Sequence, residues 1–390
     1  MRKIAIVFNG DLRINRQGQL NSAICRIKYL QQLGTFDVDA YCIQEYSVGL
    51  LRFLRKETHL VKKPCELVDD IRINIIYKRC YFISVLLETR LKVKSLLTEL
   101  AYRRISVLLK DYDLVSGHSI IGGQIGLEVK KRYGFPYCVT WHGSDIHTHP
   151  VNNILMRRQV AEIIANASCN IFVSQSLYEA SKQYFHICPN PQIVYNAADE
   201  MFYRYDDEKR LAIRKKIGVV GQKIVAYVGN MENVKNVLLL PGIFHLVQNK
   251  QENVLFWIIG DGTQRTMVEC KMKELGIPCV FWGNQQPEVI PEFMNSIDVI
   301  VLPSKNESFG MVLVEALSCG ANAVGSKRGG IPEVIGNENC FELDDNFEER
   351  ISEKIADMLT NHIEQHVNPD FDWHKTAEKE SGLFEEMLNQ

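Results

Sequence analysis

Two glutamates eight residues apart carry the strongest chemical signal of the sequence, in the stretch VLPSKNESFGMVLVEALSCGANAV. The second, Glu315, is the one charge in a helix that we predict from near Gly310 to the helix-terminating Gly320. A helix that is apolar all round is buried, and a buried carboxylate without a partner is strongly unfavourable. The nearby sequence offers no evident cation. We therefore expect a hydroxyl-rich ligand, because one carboxylate can accept two hydrogen bonds from a vicinal diol.

The loop before this helix is predicted to bind a phosphate. Glu307 lies in this loop, just after a predicted strand. Phe309, Gly310 and Met311 should present backbone N–H groups that lack a partner within the helix, and such a helix N-terminus binds phosphate. The alternative is structural: Glu307 caps the helix and Glu315 pairs with an arginine.

Lys235 and His142 are the next candidates. Lys235 precedes NVLLLPGIF, which we predict as a helix. The helix dipole disfavours a cation at this end unless an anion, such as a diphosphate, lies between. His142 follows the predicted strand YCVTW and precedes Gly143, at the carboxyl end of a strand. The alternatives are an exposed lysine and a core histidine with satisfied hydrogen bonds.

The elements that position these residues follow from the alternation of short apolar runs with longer amphipathic stretches, which is typical of βα units on a parallel sheet. We predict an α/β protein with two Rossmann-like domains, residues 1–200 and 201–369, and a terminal helix within 370–390 that packs back on the first domain. In such sheets ligands bind at the carboxyl ends of the strands. The predicted strands are Ile4–Phe8, Val38–Ile43, Leu114–Ser116, Tyr137–Trp141, Asn170–Val173, Gln192–Tyr195, Lys223–Val228, Val254–Ile259, Val280–Trp282, Val299–Leu302 and Ala321–Gly325.

Among the helices, we predict Gln19–Gln32, Leu91–Lys110 and a terminal helix over Phe371–Leu388. The segment Tyr46–Arg90 mixes apolar and basic residues with few turn signals, and its pattern supports no assignment.

The composition indicates a folded cytoplasmic protein. Apolar residues make up 46% and charged residues 24% of the chain, and no apolar run reaches the roughly 18 residues that span a bilayer. The opening MRKIAIVFNG is interpreted as a buried first strand and not as a signal peptide. The 11 cysteines lack metal-like pairs, which predicts free thiols in a reducing compartment.

Beyond the two glutamates, the sequence resembles the retaining glycosyltransferases of the GT-B fold, family four (group 1). The matching segments keep the order and spacing of that family, and only residues 46–110 lack a clear counterpart. These segments are VTWHGSDI (139–146), VSQSLYEA (173–180), VYNAADEMF (194–202), YVGNMENVKN (227–236), IIGDGTQR (258–265), VFWGN (280–284), IDVIVLPS (297–304) and GGIPEVI (329–335). The resemblance implies two Rossmann-like domains facing across a cleft. It also implies transfer of a sugar from a nucleotide-diphosphate donor, with retention and with no metal or other cofactor.

The resemblance also implies roles for single residues. Glu307 would contact hydroxyls of the donor sugar, His142 would orient the reacting groups, and Lys235 would bind the diphosphate. Glu315 would hold the ribose hydroxyls. His118 matches an acceptor-side position, with a structural role as the alternative. The positions that match donor-binding residues are Gly18, Asn230, Gly283, Asn284, Phe309, Gly310, Met311, Val312 and Glu315.

The sequence departs from the family pattern after the glycine of YVGN. Asn230 stands where the family usually has an arginine, so that one charge for the leaving diphosphate is missing. Arg13 or Arg16, close to Gly18, could supply it. Glu333 of GGIPE either lines the cleft or starts a helix.

Three other functions are compatible with parts of the pattern. A nucleotide-sugar isomerase, similar to a 2-epimerase, could use the same two domains but would need acid and base groups at the sugar and no acceptor. A glycoside hydrolase needs two carboxylates but no phosphate-binding helix end. A binding protein without activity is suggested only by Asn230. A metal-dependent transferase of the other major fold would need a D-x-D pair at the nucleotide site. The pairs Asp37–Asp39 and Asp370–Asp372 have this spacing but are interpreted as structural, so we expect no metal site.

The charge is uneven along the chain. Residues 1–110 carry 20 Lys+Arg against 10 Asp+Glu, and residues 46–110 carry 14 against 6, a balance of +8. Apolar groups such as Val48–Leu51 and Tyr81–Leu87 are interleaved with these charges, and no nucleic-acid module is recognisable. We therefore expect a glycan or lipid-linked acceptor, in polysaccharide or glycoconjugate biosynthesis, and a peripheral contact with the anionic inner face of a membrane. Alternatively, the charges simply solvate the surface.

Overall fold

Each half of the chain builds a parallel sheet flanked by helices, which confirms the predicted α/β class. The structure is a computed structural model that describes residues 1–12, 18–55, 62–361 and 363–390. One unit comprises Met1–Asn196 together with Trp373–Gln390, and the other comprises Ala197–Asp372. The division between the units at Asn196 lies slightly before the predicted boundary at residue 200.

The first unit contains one sheet, whose strands run in the spatial order β3-β4-β2-β1-β5-β6-β7-β8. Neighbouring strands are parallel except β3 and β4, which form an antiparallel hairpin. Buried runs such as Ile4–Val7 and Tyr137–Trp141 are typical of strands covered on both faces. The strands are β1 (Lys3–Asn9), β2 (Asp37–Ser47), β3 (Cys65–Val68), β4 (Ile71–Cys80), β5 (Leu114–His118), β6 (Tyr137–Trp141), β7 (Cys169–Phe172) and β8 (Pro191–Ile193).

The terminal helix belongs to the first unit, where it packs on the first helix. The fully buried Arg26 pairs with the buried Glu380 and also donates to the backbone oxygen of Val194 at 2.8 Å. The helices of this unit are α1 (Gln19–Leu33), α2 (Leu50–Leu54), α3 (Phe82–Thr89), α4 (Leu96–Val107), α5 (Ser119–Tyr133), α6 (Ser144–His147), α7 (His149–Asn152), α8 (Ile154–Asn166), α9 (Gln175–Lys182) and, at the C-terminus, Trp373–Leu388.

The second unit has a smaller parallel sheet in the order β11-β10-β9-β12-β13-β14. Its strands are β9 (Lys223–Val228), β10 (Val254–Ile259), β11 (Cys279–Gly283), β12 (Val299–Leu302), β13 (Asn322–Ser326) and β14 (Cys340–Phe341). Its helices are α10 (Asp207–Ile217), α11 (Leu240–Gln248), α12 (Arg265–Glu274), α13 (Ile290–Ser296), α14 (Met311–Ser318), α15 (Ile331–Ile335) and α16 (Phe347–Asn361), so that the terminal helix is α17.

Two predicted helices were wrong in their extent. Within the predicted helix Leu91–Lys110, the helix begins only at Leu96. Lys92 adopts a positive φ of 56°, which is not helical, so the chain between α3 and α4 is not part of a helix. Lys235 does not start an α-helix. It ends a short 3-10 turn, Asn233–Lys235, and the left-handed Asn236 separates this turn from the next one.

Two further properties concern the whole chain. All 11 cysteines are free thiols. Within the described ranges, no helix is both long enough and apolar enough to cross a bilayer.

Candidate active site

Glu307 lies in the loop between β12 and α14, and two glycines from a neighbouring turn fix this loop. The backbone N–H of Gly330 donates to the carbonyl oxygen of Glu307 at 2.9 Å. A Cβ on Gly329 would lie 1.8 Å from that same oxygen, and Gly329 has a φ of 56°. Only glycine fits a left-handed position with such a close backbone approach. Gly329 and Gly330 therefore position Glu307.

Lys235 forms an ion pair with Glu307. Its Nζ lies 2.5 Å from Oε2 of Glu307, and the two side chains are 26% and 16% exposed. Neighbouring bonds hold the two loops together: the backbone N–H of Lys305 donates to the oxygen of Val234, and its Nζ donates to Oδ1 of Asn233, both at 2.8 Å. The structure thus joins two residues that the sequence singles out separately.

Glu315 lies on the one partly exposed stripe of α14. Met311, Val312, Glu315 and Ser318 share this stripe at helical spacing, and the residues between them are buried. No cation among the described residues pairs with the Glu315 carboxylate. Burial raises the pKa of Glu315 to about 7, and the charge of Asp199 adds to the rise. The carboxylate is therefore partly desolvated, and no cation among the described residues offsets this.

The N-terminus of α14 offers backbone donors beside these carboxylates. Gly310 precedes the helix in a left-handed conformation with a φ of 100°. Met311 and Val312 donate to no backbone carbonyl of the described residues, as expected in the first turn of a helix. Phe309 is buried and packs edge-on against Phe371, with ring centroids 5.1 Å apart. This packing fixes the chain just before the donors.

The predicted nucleobase positions lie at the end of β11. Gly283 has a φ of 67°, and its carbonyl oxygen accepts from the N–H of Gly260 at 2.8 Å. Asn284 is exposed beside it. The guanidinium of Arg265 would lie 3.4 Å from a Cβ on Gly283. The positive φ, more than this contact, therefore disfavours a side chain at Gly283.

Asn230 follows the end of β9 in the second unit and is exposed. Its carbonyl oxygen accepts from the hydroxyl of Tyr227 at 2.7 Å. Burial raises the pKa of that hydroxyl, and the nearby charges of Glu307 and Glu232 add to the rise. Arg13 and Arg16, the predicted substitutes for an arginine at position 230, lie outside the described residues.

In the first unit, the buried His118 pairs with the half-buried His142. Nδ1 of His118 lies 3.0 Å from Nε2 of His142, so one ring donates to the other. Burial and the charge of Arg26 lower the pKa of His118 to about 3, and burial also holds the pKa of His142 well below its ordinary value. Both rings are therefore neutral. Asp145 accepts from the backbone N–H groups of His142 and Gly143 at 3.1 and 2.7 Å, which fixes the turn after β6.

Two weaker candidates occupy the ends of helices. Gly18 precedes α1 with a φ of 44°, and its carbonyl oxygen accepts from the N–H of Ser22 at 3.0 Å. Glu333 lies in the first turn of α15.

Sequence reasoning missed the positioning residues. The adjacent glycines of GGIPE were a usable signal, because a glycine pair before a helix often marks a close backbone approach.

Comparisons with known proteins agree with this arrangement. Residues 209–372 match the family described as glycosyl transferases group 1, and residues 74–201 match Glycosyltransferase Family 4. D-inositol 3-phosphate glycosyltransferase of Segniliparus rotundus is 26% identical over 268 residues, 64% of this chain and 58% of that relative. N-acetyl-alpha-D-glucosaminyl L-malate synthase of Bacillus anthracis is 28% identical over 282 residues, 68% of this chain and 70% of the relative.

Among solved structures, Anabaena HepE in complex with UDP and glucose aligns over 100% of this chain and 98% of its own, with a TM-score of 0.67 and 17% identity. At that identity the likeness describes the fold alone. Together with the two family matches, which cover most of the chain, it identifies the class: a glycosyltransferase built from two parallel-sheet units. The chain belongs to the family-four glycosyltransferases of the GT-B fold.

Proposed function

We propose that the protein transfers a sugar from a nucleotide-diphosphate donor to a glycan or lipid-linked glycan, with retention of the anomeric configuration and without a metal ion. The observation that carries this proposal is the grouping at the carboxyl end of β12. It combines the Lys235–Glu307 pair, the N-terminus of α14 and the desolvated Glu315 carboxylate. A cation with helix N–H groups suits a diphosphate, and an unpaired carboxylate suits a diol.

Each group then has one role in the transfer. Glu315 accepts hydrogen bonds from the ribose hydroxyls, Glu307 accepts them from the sugar, and the first-turn amides of Met311 and Val312 donate to the diphosphate. Lys235 stabilises the charge that builds on the diphosphate as the glycosidic bond breaks. The electron pair of that bond leaves with the diphosphate. The acceptor oxygen then bonds to the anomeric carbon from the same face and gives its proton to a diphosphate oxygen.

The neutral state of His142 suits a hydrogen-bonding role and not a charged one. A histidine that is held neutral can donate to or accept from a hydroxyl without placing a cation beside the reacting carbon. His118 occupies Nε2 of His142, so Nδ1 is the ring nitrogen left for substrate. We propose that His142 orients a hydroxyl of the donor or the acceptor.

Product analysis tests the transfer. The enzyme is incubated with a panel of nucleotide sugars, with and without glycan acceptors, and the products are followed by NMR. Acceptor-dependent product with the anomeric configuration of the donor supports the proposal. A changed sugar nucleotide formed without acceptor would instead identify the isomerase alternative. An inverted product would contradict retention.

Metal independence is tested in the same assay. Lys235 and the helix amides supply the positive charge that a divalent ion supplies in other transferases, so activity should survive EDTA. Activity that is abolished by EDTA and restored by Mg²⁺ or Mn²⁺ would contradict this part of the proposal.

We further propose that the first unit contacts an anionic membrane through the exposed residues of α2, α3, α4 and the turn between α3 and α4, which we call the basic-apolar face. Phe53 is 80% exposed, Leu96 is 66% exposed and Leu91 is 61% exposed. The exposed cations Lys92 and Lys94 lie between Leu91 and Leu96 in the chain. Apolar groups that enter the interface and cations that attract anionic headgroups are the two elements of peripheral binding. The face would bring the enzyme to a lipid-linked acceptor.

Liposome flotation tests the basic-apolar face. Replacing Lys92, Lys94 and Arg104 by glutamine should weaken binding to anionic vesicles more than a hundredfold, since each cation contributes about 1 kcal/mol near such a surface. The matched control replaces Lys215, Lys271 and Lys273, three exposed cations of the second unit, and should bind as the wild type does. Equal recovery with anionic and neutral vesicles would contradict the proposal. A concentration-dependent dimer that buries the face would assign it to self-association instead.

A further inference from the structure

We infer that Glu307 makes the donor site select the intact nucleotide sugar over the free nucleoside diphosphate, because its carboxylate competes with the diphosphate for Lys235. The inference rests on the proposed function and adds a discrimination that the transfer itself does not require.

The competition follows from the contact between the two side chains. The Nζ of Lys235 lies 2.5 Å from Oε2 of Glu307, and each side chain is less than a third exposed. The cation that should attract the diphosphate is therefore already neutralised by a protein carboxylate. The hydroxyl of Ser304 lies 3.5 Å from the same oxygen. It is too distant to replace an ion pair.

The intact donor and the free diphosphate differ in the hydrogen bonds that they can donate to Glu307. A free diphosphate that takes Lys235 leaves the Glu307 carboxylate partly buried, without its cation and close to a second anion. The intact donor also takes Lys235, but its sugar hydroxyls can donate to the released carboxylate. When the donor binds, hydrogen bonds from the sugar compensate Glu307 for the loss of its ion pair. When the free diphosphate binds, this loss is not compensated. When the sugar leaves, the Lys235–Glu307 pair can form again, which favours release of the diphosphate.

The test measures the affinity of wild type and of Glu307→Gln for UDP, GDP and ADP by titration calorimetry. Glutamine keeps the size of the side chain and removes the charge, so Lys235 becomes available to the diphosphate. We expect the best-bound nucleoside diphosphate to bind about tenfold more tightly to the variant, which equals about 1.4 kcal/mol. The corresponding nucleotide sugar should not gain affinity, because it loses a charged acceptor at the sugar. Inhibition by the product should rise in parallel.

Glu232→Gln is the matched control. Glu232 is three residues before Lys235, but its carboxylate accepts from the N–H and hydroxyl of Thr263 at 3.0 and 2.7 Å. This variant removes the same charge from the same region and should change the affinity for diphosphate less than twofold. In a Lys235→Ala background, Glu307→Gln should no longer tighten binding.

Several outcomes would overturn the inference. The affinity of Glu307→Gln for the diphosphate could equal that of the wild type, or Glu232→Gln could tighten binding as much. The gain could also persist in the Lys235→Ala background, which would indicate a general charge effect. Should Glu307→Gln fail to fold, as judged by circular dichroism, Glu307→Ala removes the same charge and provides the same comparison. Failure of the three diphosphates and of their nucleotide sugars to bind either the wild type or Glu307→Gln would refute the proposed function itself.

Discussion

Replacing Glu315 by glutamine should stabilise the ligand-free protein, and the gain should grow with pH. Burial raises the pKa of Glu315 from its ordinary 4.5 to about 7. Between these values the folded protein holds a proton that the unfolded chain has released. A carboxyl group of this kind makes the folded state less stable as the pH rises through that window. Glutamine has nearly the same shape and does not ionise, so the variant escapes this loss.

The size of the effect follows from the pKa. A pKa unit corresponds to 1.36 kcal/mol, so a rise from 4.5 to about 7 corresponds to about 3 kcal/mol. The partial exposure of Glu315 lets water screen part of this energy. We expect the variant to be more stable than wild type by about 1 to 3 kcal/mol near pH 8. The difference should approach zero near pH 4.5, where the wild-type carboxyl is protonated in the fold.

Urea unfolding at a series of pH values measures this difference in the free energy of unfolding. The control is Glu288→Gln, which replaces an exposed glutamate of the same unit and should change the free energy of unfolding little. The reasoning about a desolvated Glu315 would be refuted by a difference that stays constant with pH, or by a variant less stable than wild type near pH 8. The stabilised variant should also bind nucleoside diphosphates more weakly, because the diol loses its charged acceptor.

Three further predictions concern single contacts. Gly329→Ala should lower both turnover and thermal stability, because the new Cβ would meet the carbonyl oxygen of Glu307. The control is Gly382→Ala, where nothing lies within 4 Å of the added Cβ. Its thermal unfolding and activity should be unaffected or slightly improved. Lys235→Ala should lower kcat about a hundredfold while its thermal unfolding stays near wild type; unchanged initial rates would exclude a role for Lys235 in the transfer. Glu380→Ala should cost about 3 to 5 kcal/mol in urea unfolding, since it leaves the buried Arg26 charge unpaired. Substitution of the exposed Glu378 by alanine is the matched comparison.

The sequence predicted the central strands of both sheets well. Tyr137–Trp141, Lys223–Val228 and Val254–Ile259 have the predicted bounds. These strands are covered on both faces, so each is a continuous apolar run that ends where the chain becomes polar or reaches glycine. The same regularity allowed the candidate residues to be assigned to strand ends.

The hairpin of β3 and β4 was missed because its turn signal is weak. Asp69 and Asp70 both adopt positive φ angles, 49° and 64°, which is the geometry of a two-residue hairpin turn. Asn-Gly or Asp-Gly is the usual sequence for such a turn, and two aspartates are a rare choice. The alternation of β4 is also lost in the middle, at Ile75–Tyr77, so neither the turn nor the strand was evident.

The contacts of the candidate site were only partly predictable. The sequence indicated Glu307, Glu315 and Lys235 as separate candidates, each from its local surroundings. It could not indicate that Lys235 and Glu307 pair, because they are 72 positions apart and the 3-10 turn around Lys235 has no strong sequence signal. The contact of Gly329 with the Glu307 loop likewise depends on how two loops meet at the ends of neighbouring strands.

The central claim, that Glu315 holds the ribose of a nucleotide donor, is tested most directly by removing each side of that contact. The affinity of wild type and of Glu315→Ala is measured for the best-bound nucleoside diphosphate and for its 2′-deoxy analogue. In wild type, loss of the 2′-hydroxyl should weaken binding by about 1.5 to 3 kcal/mol, as expected for a hydrogen bond to a charged group. In Glu315→Ala the two ligands should bind equally well. An equal loss in both proteins would show that the ribose lies elsewhere and would contradict the account.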